Sequence, residues 1–234
     1  MAEKGGDRDP EGDEAIGLRE RAARAAVQRQ AWSVGVATGT YGISFGALSV
    51  ASGLDVWQTV ALSALMFTGG SQFAFVGVIG AGGTGLAAIA TSTLLGIRNG
   101  LYGLQVSEFL GTRGAARAVA AQLTIDESTA VGIAQEADHH RRQGFWTTGW
   151  AVYLFWNAFT LAGAVLGNTL GDPRRWGLDA AAAAAFVALL WPRLKGRDAA
   201  ATAAVAVVLT VVVAPVAPAG VPVLVAALAA VVVG

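Results

Sequence analysis

The chain has 234 residues, of which 54% are hydrophobic and only 14% are charged, and its 16 basic and 16 acidic residues give a formal net charge of zero. A neutral chain lacks the basic field that a nucleic-acid-binding protein needs. The absence of cysteine excludes a disulfide framework, a thiolate nucleophile and a thiolate metal site.

The charges are unevenly distributed along the chain. Thirteen of the 32 charged residues lie in the first 30 positions, and the windows 30–54, 56–97, 143–171, 180–192 and 199–234 contain none. About 20 apolar residues are enough to cross a hydrocarbon layer about 30 Å thick. The windows therefore predict an all-α polytopic membrane protein with a transmembrane domain over residues 31–234.

Residues 1–30 are predicted to form a polar, cytoplasmic head. Residues 1–14 have almost no large apolar side chains, so we expect them to be disordered. Residues 15–29 can form a short basic helix on the membrane surface. The head does not resemble a signal peptide, because no basic region runs into an apolar one.

Seven apolar segments follow, the last two forming a short helical hairpin divided by prolines: 31–54, 56–79, 84–110, 145–170, 177–192, 199–214 and 219–233. Residues 115–137 are either a surface helix in a long loop or an eighth membrane-entering segment. Basic residues precede the first span and recur at 193–197, and basic loops favour the cytoplasmic side. Only eight segments place both regions on that side, with both chain ends cytoplasmic.

Glycines indicate two special features within the spans. Gly35, Gly39, Gly42 and Gly46 share one helix face, which is typical of close helix packing, although some could interrupt the helix instead. In the second span, Gly69 and Gly70 precede the polar pair Ser71 and Gln72. A half-helix restarting at Ser71 would direct its positive dipole end into the protein, as transporters do to hold a carboxylate. The stretch 41–46 offers a comparable site in the first span.

Arg98 lies in the middle of segment 84–110, where a charge facing lipid is costly. It could form a helix-pinning ion pair with Asp126 or Glu127, or bind a carboxylate with its planar guanidinium. Tyr102 lies one helical turn further on the same face. Asn157, mid-span in 145–170, could bind a ligand or hydrogen-bond a neighbouring helix.

Several chemistries have no sequence signature here. The chain has no phosphate-binding loop, and its two histidines, His139 and His140, are adjacent and cannot form the i, i+4 pair of a zinc helix. No nucleophile–base set is visible. We therefore expect a protein that is not an enzyme, with no cofactor, metal or catalytic residue.

A set of short motifs occurs in a characteristic order. They are Gly42-x-x-Phe45-Gly46, Phe67-Thr-Gly-Gly-Ser71-Gln72-Phe73, Arg98-x-x-Leu101-Tyr102-Gly103, Thr124-x-Asp126-Glu127-Ser128, Gly177-Leu178-Asp179 and Leu189-Leu-x-Pro192-x-Leu194. Over residues 31–234 this pattern resembles the AzlC family, also called LIV-E, the large subunit of bacterial branched-chain amino acid exporters. The family often reads Asn-x-Arg-His-x-Leu-Tyr in the third span, whereas this chain has Gly96 and Asn99 at the Asn and His positions.

The resemblance implies a permease of the bacterial cytoplasmic membrane. It would export valine, leucine and isoleucine, with methionine as a further candidate, together with a small AzlD-type membrane subunit and using the proton-motive force. The pathway residues carried over are Ser71, Gln72, Arg98, Tyr102, Asp126 and Glu127.

The sequence hypothesis is a mid-membrane site for a zwitterionic amino acid. Arg98 or the helix end at Ser71 would hold the carboxylate, and Asp126 or Glu127 the ammonium or a coupling proton. Phe45, Phe73 and Trp156 would form the apolar pocket. The alternatives are a non-transporting scaffold or assembly subunit, with Arg98 satisfied internally and no central cavity, and a transporter or channel for another small solute.

Overall fold

The structure, a computed structural model, describes residues 10–170, 187, 190, 191, 194–229 and 233. Its described helices are α1 (Pro10–Gly39), α2 (Tyr41–Ala51), α3 (Val56–Leu65), α4 (Gly70–Gly80), α5 (Gly85–Leu110), α6 (Gly114–Gln122), α7 (Asp126–Ile133), α8 (Asp138–Leu170), α9 (Arg197–Val213) and α10 (Val221–Ala226). The helical class predicted from the sequence is thus observed in the described residues.

Helices α1 and α2, separated by a turn at Thr40, pack lengthwise on α8. The glycine face predicted from the spacing lies in this contact, because an added Cβ at Gly35 would lie 2.6 Å from the Cβ of Ala151 and one at Gly42 would lie 2.6 Å from the carbonyl oxygen of Trp156. At Gly46 an added Cβ would collide with the backbone of α8. The face is therefore a packing seam, and residues 41–46 are helical rather than broken.

The direction of this packing is parallel. Positions along α1 and α2 meet successively later positions along α8, from Gly35 against Ala151 to Gly46 against Ala164. The two long helices therefore run side by side in the same direction.

The N-terminal region agrees with the prediction in part: residues 15–29 are helical as predicted, residues 10–14 of the predicted disordered stretch are helical too, and residues 1–9 lie outside the described residues. From Pro10 onward it belongs to α1, which continues without interruption into the first apolar segment. Val27 and Ala31 are buried, and the side-chain amide of Gln143 donates to the carbonyl oxygen of Arg24 at 3.2 Å. Packing on α8 stabilises this part of α1, which composition alone does not reveal.

Two of the predicted segments are broken in the middle. The second segment divides into α3 and α4, with residues 66–69 between them, and Gly69 has φ +62°, which favours glycine. Helix α4 restarts at Gly70, one residue before the predicted position. Residues 115–137 divide into α6 and α7 around residues 123–125.

By length and composition, two stretches of the described residues could each cross a membrane, Ile16–Ala51 and Asp138–Thr169, and α3 and α4 are shorter apolar helices. Helices α5 and α8 cover the segments predicted at 84–110 and 145–170, and α9 and α10 form the two arms of the C-terminal pair. The segment predicted at 177–192 lies outside the described residues except for Val187, Leu190 and Trp191. The total of seven to eight membrane-entering segments stays a prediction.

Candidate functional site

The carboxyl end of α3 is held by side chains from other helices. The Gln72 side-chain amide donates to the carbonyl oxygen of Ser63 at 3.1 Å and that of Leu62 at 3.4 Å. Gln122, the last residue of α6, donates to the carbonyl oxygens of Ala64 at 2.8 Å and Leu65 at 3.3 Å. Backbone groups released by a helix break need such partners in a low-dielectric interior.

The second break is held by its own hydroxyl side chains. The Thr124 hydroxyl donates to the carbonyl oxygen of Ala120 at 2.7 Å. The Ser128 hydroxyl accepts from the backbone N–H of Ile125 at 3.1 Å and donates to the carbonyl oxygen of Leu123 at 2.6 Å. The polar residues of the Thr124-x-Asp126-Glu127-Ser128 motif therefore end one helix and start the next, which places Asp126 in the first turn of α7.

Arg98 joins the two breaks. Its Nη1 donates to Asp126 Oδ2 at 3.0 Å, and its Nη2 donates to the carbonyl oxygen of Thr68 at 3.2 Å. The side chains of Arg98 and Asp126 are 33% and 24% exposed, so the pair is neither sealed in the interior nor open to the surface. Of the two acids that the sequence offered as partners, Asp126 makes the ion pair.

A cavity of about 390 Å³ lies beside this ion pair, within the range of roughly 300–1,000 Å³ that is common for small-molecule sites. It is bounded by both breaks, by α1 and α2, by α5 and α8, and by two residues beyond α8. Its lining residues are Thr38, Tyr41, Phe67, Thr68, Gly69, Gly70, Phe73, Leu95, Arg98, Ile125, Asp126, Glu127, Val152, Trp156, Val187 and Leu190. The cavity thus combines an apolar wall with three residues of the charged types, Arg98, Asp126 and Glu127.

Three of the lining residues have a buried polar atom with no hydrogen-bond partner among the described residues. These atoms are the Thr68 hydroxyl oxygen, the Arg98 Nε and the Trp156 indole nitrogen. Each can donate a hydrogen bond, and leaving a buried donor unpaired costs about 1–3 kcal/mol. These three buried donors thus belong to residues that line the cavity.

The aromatic residues predicted as the apolar pocket form one cluster. The ring centroids of Phe45 and Phe73 lie 5.5 Å apart, and those of Phe45 and Trp156 lie 6.0 Å apart. Phe73 and Trp156 line the cavity, whereas Phe45 is fully buried outside its lining. Phe45 thus supports the wall from behind.

Four of the predicted pathway residues lie outside the lining. Ser71 and Gln72 are buried in the first turn of α4, and Tyr102 is half-buried on α5. Asn157 donates to the carbonyl oxygen of Tyr153, one turn earlier in its own helix, at 2.8 Å. Glu127 does line the cavity, with Asp126 and Arg98.

Sequence reasoning missed several residues of the site. Gln122 and Tyr153 both hydrogen-bond Ala64, and Thr68 supplies the carbonyl that Arg98 binds. Gln122 had no distinguishing signal in the sequence, and Thr68 adjoins the glycine pair. No periodicity distinguishes Tyr153 from any other aromatic residue in an apolar helix.

A comparison with protein-family models shows which family contains this site. The family model described as AzlC protein matches residues 33–170, more than half of the chain and the whole segment that forms both breaks. The chain belongs to the AzlC family. AzlC membership together with the apolar helices supports a membrane protein concerned with transport. No curated protein and no solved structure matches this chain.

Proposed function

We propose that the chain is the large subunit of a secondary exporter of branched-chain amino acids. The substrates would be valine, leucine and isoleucine, with methionine as a further candidate. The proton-motive force would drive the export. The main support for this proposal is the cavity, whose walls include the Arg98–Asp126 ion pair, the two helix breaks and the aromatic cluster. Membership of the AzlC family supports the substrate class and a small AzlD-type partner subunit.

The Arg98–Asp126 pair suits a zwitterion. A substrate inserted between them would place its carboxylate on Arg98 and its ammonium on Asp126 or Glu127, replacing one ion pair with two. The backbone N–H groups at the start of α4 add partial positive charge near the carboxylate. No net charge enters the site, so a neutral amino acid can be admitted without the cost of burying an unpaired ion.

The aromatic wall would select the side chain. Phe73, Val152 and Trp156 line the cavity, and removing an aliphatic side chain from water contributes roughly 1.5–3 kcal/mol. This is enough to favour leucine over alanine. An acidic or basic side chain would have no counterion against this wall.

The topology supports an odd number of crossings between the first apolar span and α8. Because α1 and α8 run in parallel, a chain that crosses along α1 and α2 must return to its starting side before α8 begins. We infer that the α3–α4 pair and α5 provide two crossings and that the α6–α7 pair provides the third. We therefore place 115–137 in the membrane as a broken segment, with the N-terminus and the start of α8 on the same, cytoplasmic, side of the inner membrane.

The ion pair also fits a second candidate function. A non-transporting scaffold subunit needs Arg98 to be satisfied internally, and Asp126 and the Thr68 carbonyl do satisfy part of its guanidinium. The cavity favours the exporter, because a scaffold gains nothing from it.

Efflux from cells tests the proposal. Cells that co-express the chain with its small membrane subunit are preloaded with a valine-containing dipeptide, and released valine is measured. Arg98→Gln should slow efflux about 10- to 150-fold, since a hydrogen bond to a charged group contributes about 1.5–3 kcal/mol. Arg113→Gln, which changes an exposed arginine at the start of α6, is the matched control. Wild-type efflux by a well-expressed Arg98→Gln variant would contradict the carboxylate role.

Two further measurements distinguish the exporter from the scaffold and from a channel or transporter for another solute. A protonophore should abolish net valine efflux if the proton gradient drives it, and leave it unchanged in a channel. Absence of valine efflux by the wild-type pair, with both subunits present in the membrane, would support the scaffold. Efflux of a different solute would support the third hypothesis.

A further inference from the structure

A cluster of metal-ligating side chains lies outside the cavity, where the charged part of α1 meets the first turn of α8. Glu20 comes from α1, and His139 and His140 come from α8, so residues 119 and 120 positions apart meet here. The one ligand atom that each can offer lies within 4.8 Å of the other two. The cluster is far along α1 from the cavity-lining Thr38 and takes no part in the proposed transport site.

The geometry is convergent. The Nε2 atoms of His139 and His140 lie 2.8 Å and 3.2 Å from the same carboxylate oxygen, Glu20 Oε1. In a tetrahedral zinc site with bonds of about 2.0–2.1 Å, two ligand atoms lie about 3.3 Å apart. Both separations are close to that edge length. Side chains of adjacent residues on a helix normally point in different directions. In the first turn of α8, however, the Nε2 atoms of His139 and His140 both approach Glu20 Oε1.

Burial gives a second observation. His140 is only 12% exposed, and its Nε2 makes no hydrogen bond with the described residues despite facing Glu20. A buried imidazole nitrogen without a donor or acceptor partner is a poor arrangement unless another group binds it. His139 is 54% exposed, which gives a cation a route from solvent and leaves room for a water ligand.

Arg24 is the competing element. Its Nε donates to the same Glu20 oxygen at 3.0 Å. Arg24 is 60% exposed, and an exposed i, i+4 ion pair contributes little stability, so the guanidinium can leave when a cation arrives.

We propose that Glu20, His139 and His140 form a zinc site that fastens α1 to the start of α8. Two imidazoles and one carboxylate are ligands that Zn²⁺ commonly uses, with water completing four-fold coordination. The cation would bridge the helix that leads into the first span and the helix that packs along it. The site would tighten this contact on the side of the membrane where α1 begins.

Zinc titration of the purified full chain tests the proposal. The protein carries an affinity tag without histidine, is treated with a chelator, and is titrated with Zn²⁺ by calorimetry. We expect one saturable site, with Glu20→Gln and His140→Gln each weakening it at least about tenfold. Arg24→Gln should tighten binding because it removes the competing cation. Glu136→Gln, an exposed acid in the α7–α8 loop, should leave the affinity unchanged.

Two controls keep the result interpretable. Co²⁺ in place of Zn²⁺ should give the intense visible absorption of a four-coordinate ion, and this should disappear in His139→Gln, whose exposed side chain can be changed without disturbing the fold. Unfolding temperatures without metal show whether each variant is folded. Equal zinc affinity in the wild type and in a folded variant lacking all three ligands would overturn the proposal.

Discussion

Arg98 and Asp126 are joined by a 3.0 Å ion pair that links α5 to the first turn of α7, while the same guanidinium holds a carbonyl of the break before α4. One side chain thus fixes the relative position of two half-helices. The pair is part of the cavity wall, so any ligand that competes for Arg98 also loosens this connection.

This relationship predicts strong coupling between the two residues. Arg98→Ala should destabilise the protein by about 1.5–3 kcal/mol, because it leaves a partly buried carboxylate without its cation. The double variant Arg98→Ala/Asp126→Ala should be less destabilised than the sum of the two single variants. Unfolding midpoints of the purified protein in detergent measure all three. Additive effects would show that the ion pair contributes nothing to the fold.

Substitution of Gly46 should weaken the contact between α2 and α8. An added Cβ would collide with the Thr160 carbonyl and lie 2.6 Å from the Ala164 nitrogen, and backbone cannot yield as a side-chain tip can. Gly46→Ala should cost about 1–3 kcal/mol. Gly77→Ala is the control, because nothing lies within 4 Å of its added Cβ. There, alanine should stabilise α4 by about 1 kcal/mol. Similar unfolding midpoints for the two variants would show that Gly46 is not needed for close packing of α2 on α8.

Gln72→Leu separates a structural role from a substrate-binding role. The substitution removes the side-chain donor to the Ser63 carbonyl, so we expect a loss of about 1–3 kcal/mol of stability. The valine concentration for half-maximal efflux should stay unchanged, because Gln72 lies outside the cavity lining. Gln105→Leu, an exposed glutamine of α5, controls for the change of side chain. A large shift in that concentration with normal stability would instead assign Gln72 to the substrate.

Glu127→Gln tests proton coupling. Asp126 is engaged by Arg98, which makes Glu127 the better candidate for a carboxyl group that gains and loses a proton during transport. The variant should still exchange labelled for unlabelled valine, yet lose most net efflux driven by a proton gradient. Glu108→Gln, an exposed acid on α5, should keep both activities. Gradient-driven efflux at the wild-type rate would remove Glu127 from the coupling step.

Sequence predicted the outline of the site better than its details. The cost of placing Arg98 in an apolar segment pointed to a partner, and the glycine pair before Ser71 predicted a helix break that the structure has at the adjacent residue. The partner's identity was left open because Asp126 and Glu127 are adjacent, and only the helix start at Asp126 decides which one turns toward α5. Long-range hydrogen bonds such as that from Gln122 to Ala64 leave no periodic signal at all.

The N-terminal region shows where prediction from the sequence was incomplete. Its composition predicted disorder over residues 1–14 and a surface helix over residues 15–29, whereas α1 begins at Pro10 and packs against α8. The hydrogen bond from Gln143 to the Arg24 carbonyl joins residues 119 positions apart in sequence. No reading of residues 1–30 by themselves could supply that information.

The carboxyl end of α3 has a consequence for how the protein can move. Consecutive carbonyls from Leu62 to Leu65 are held by Gln72 and Gln122, side chains of two different helices. Sliding α3 by one residue, about 1.5 Å, would carry these carbonyls past their donors at the same time. Such a displacement would therefore break several hydrogen bonds at once, which favours a single fixed position of α3 in this arrangement.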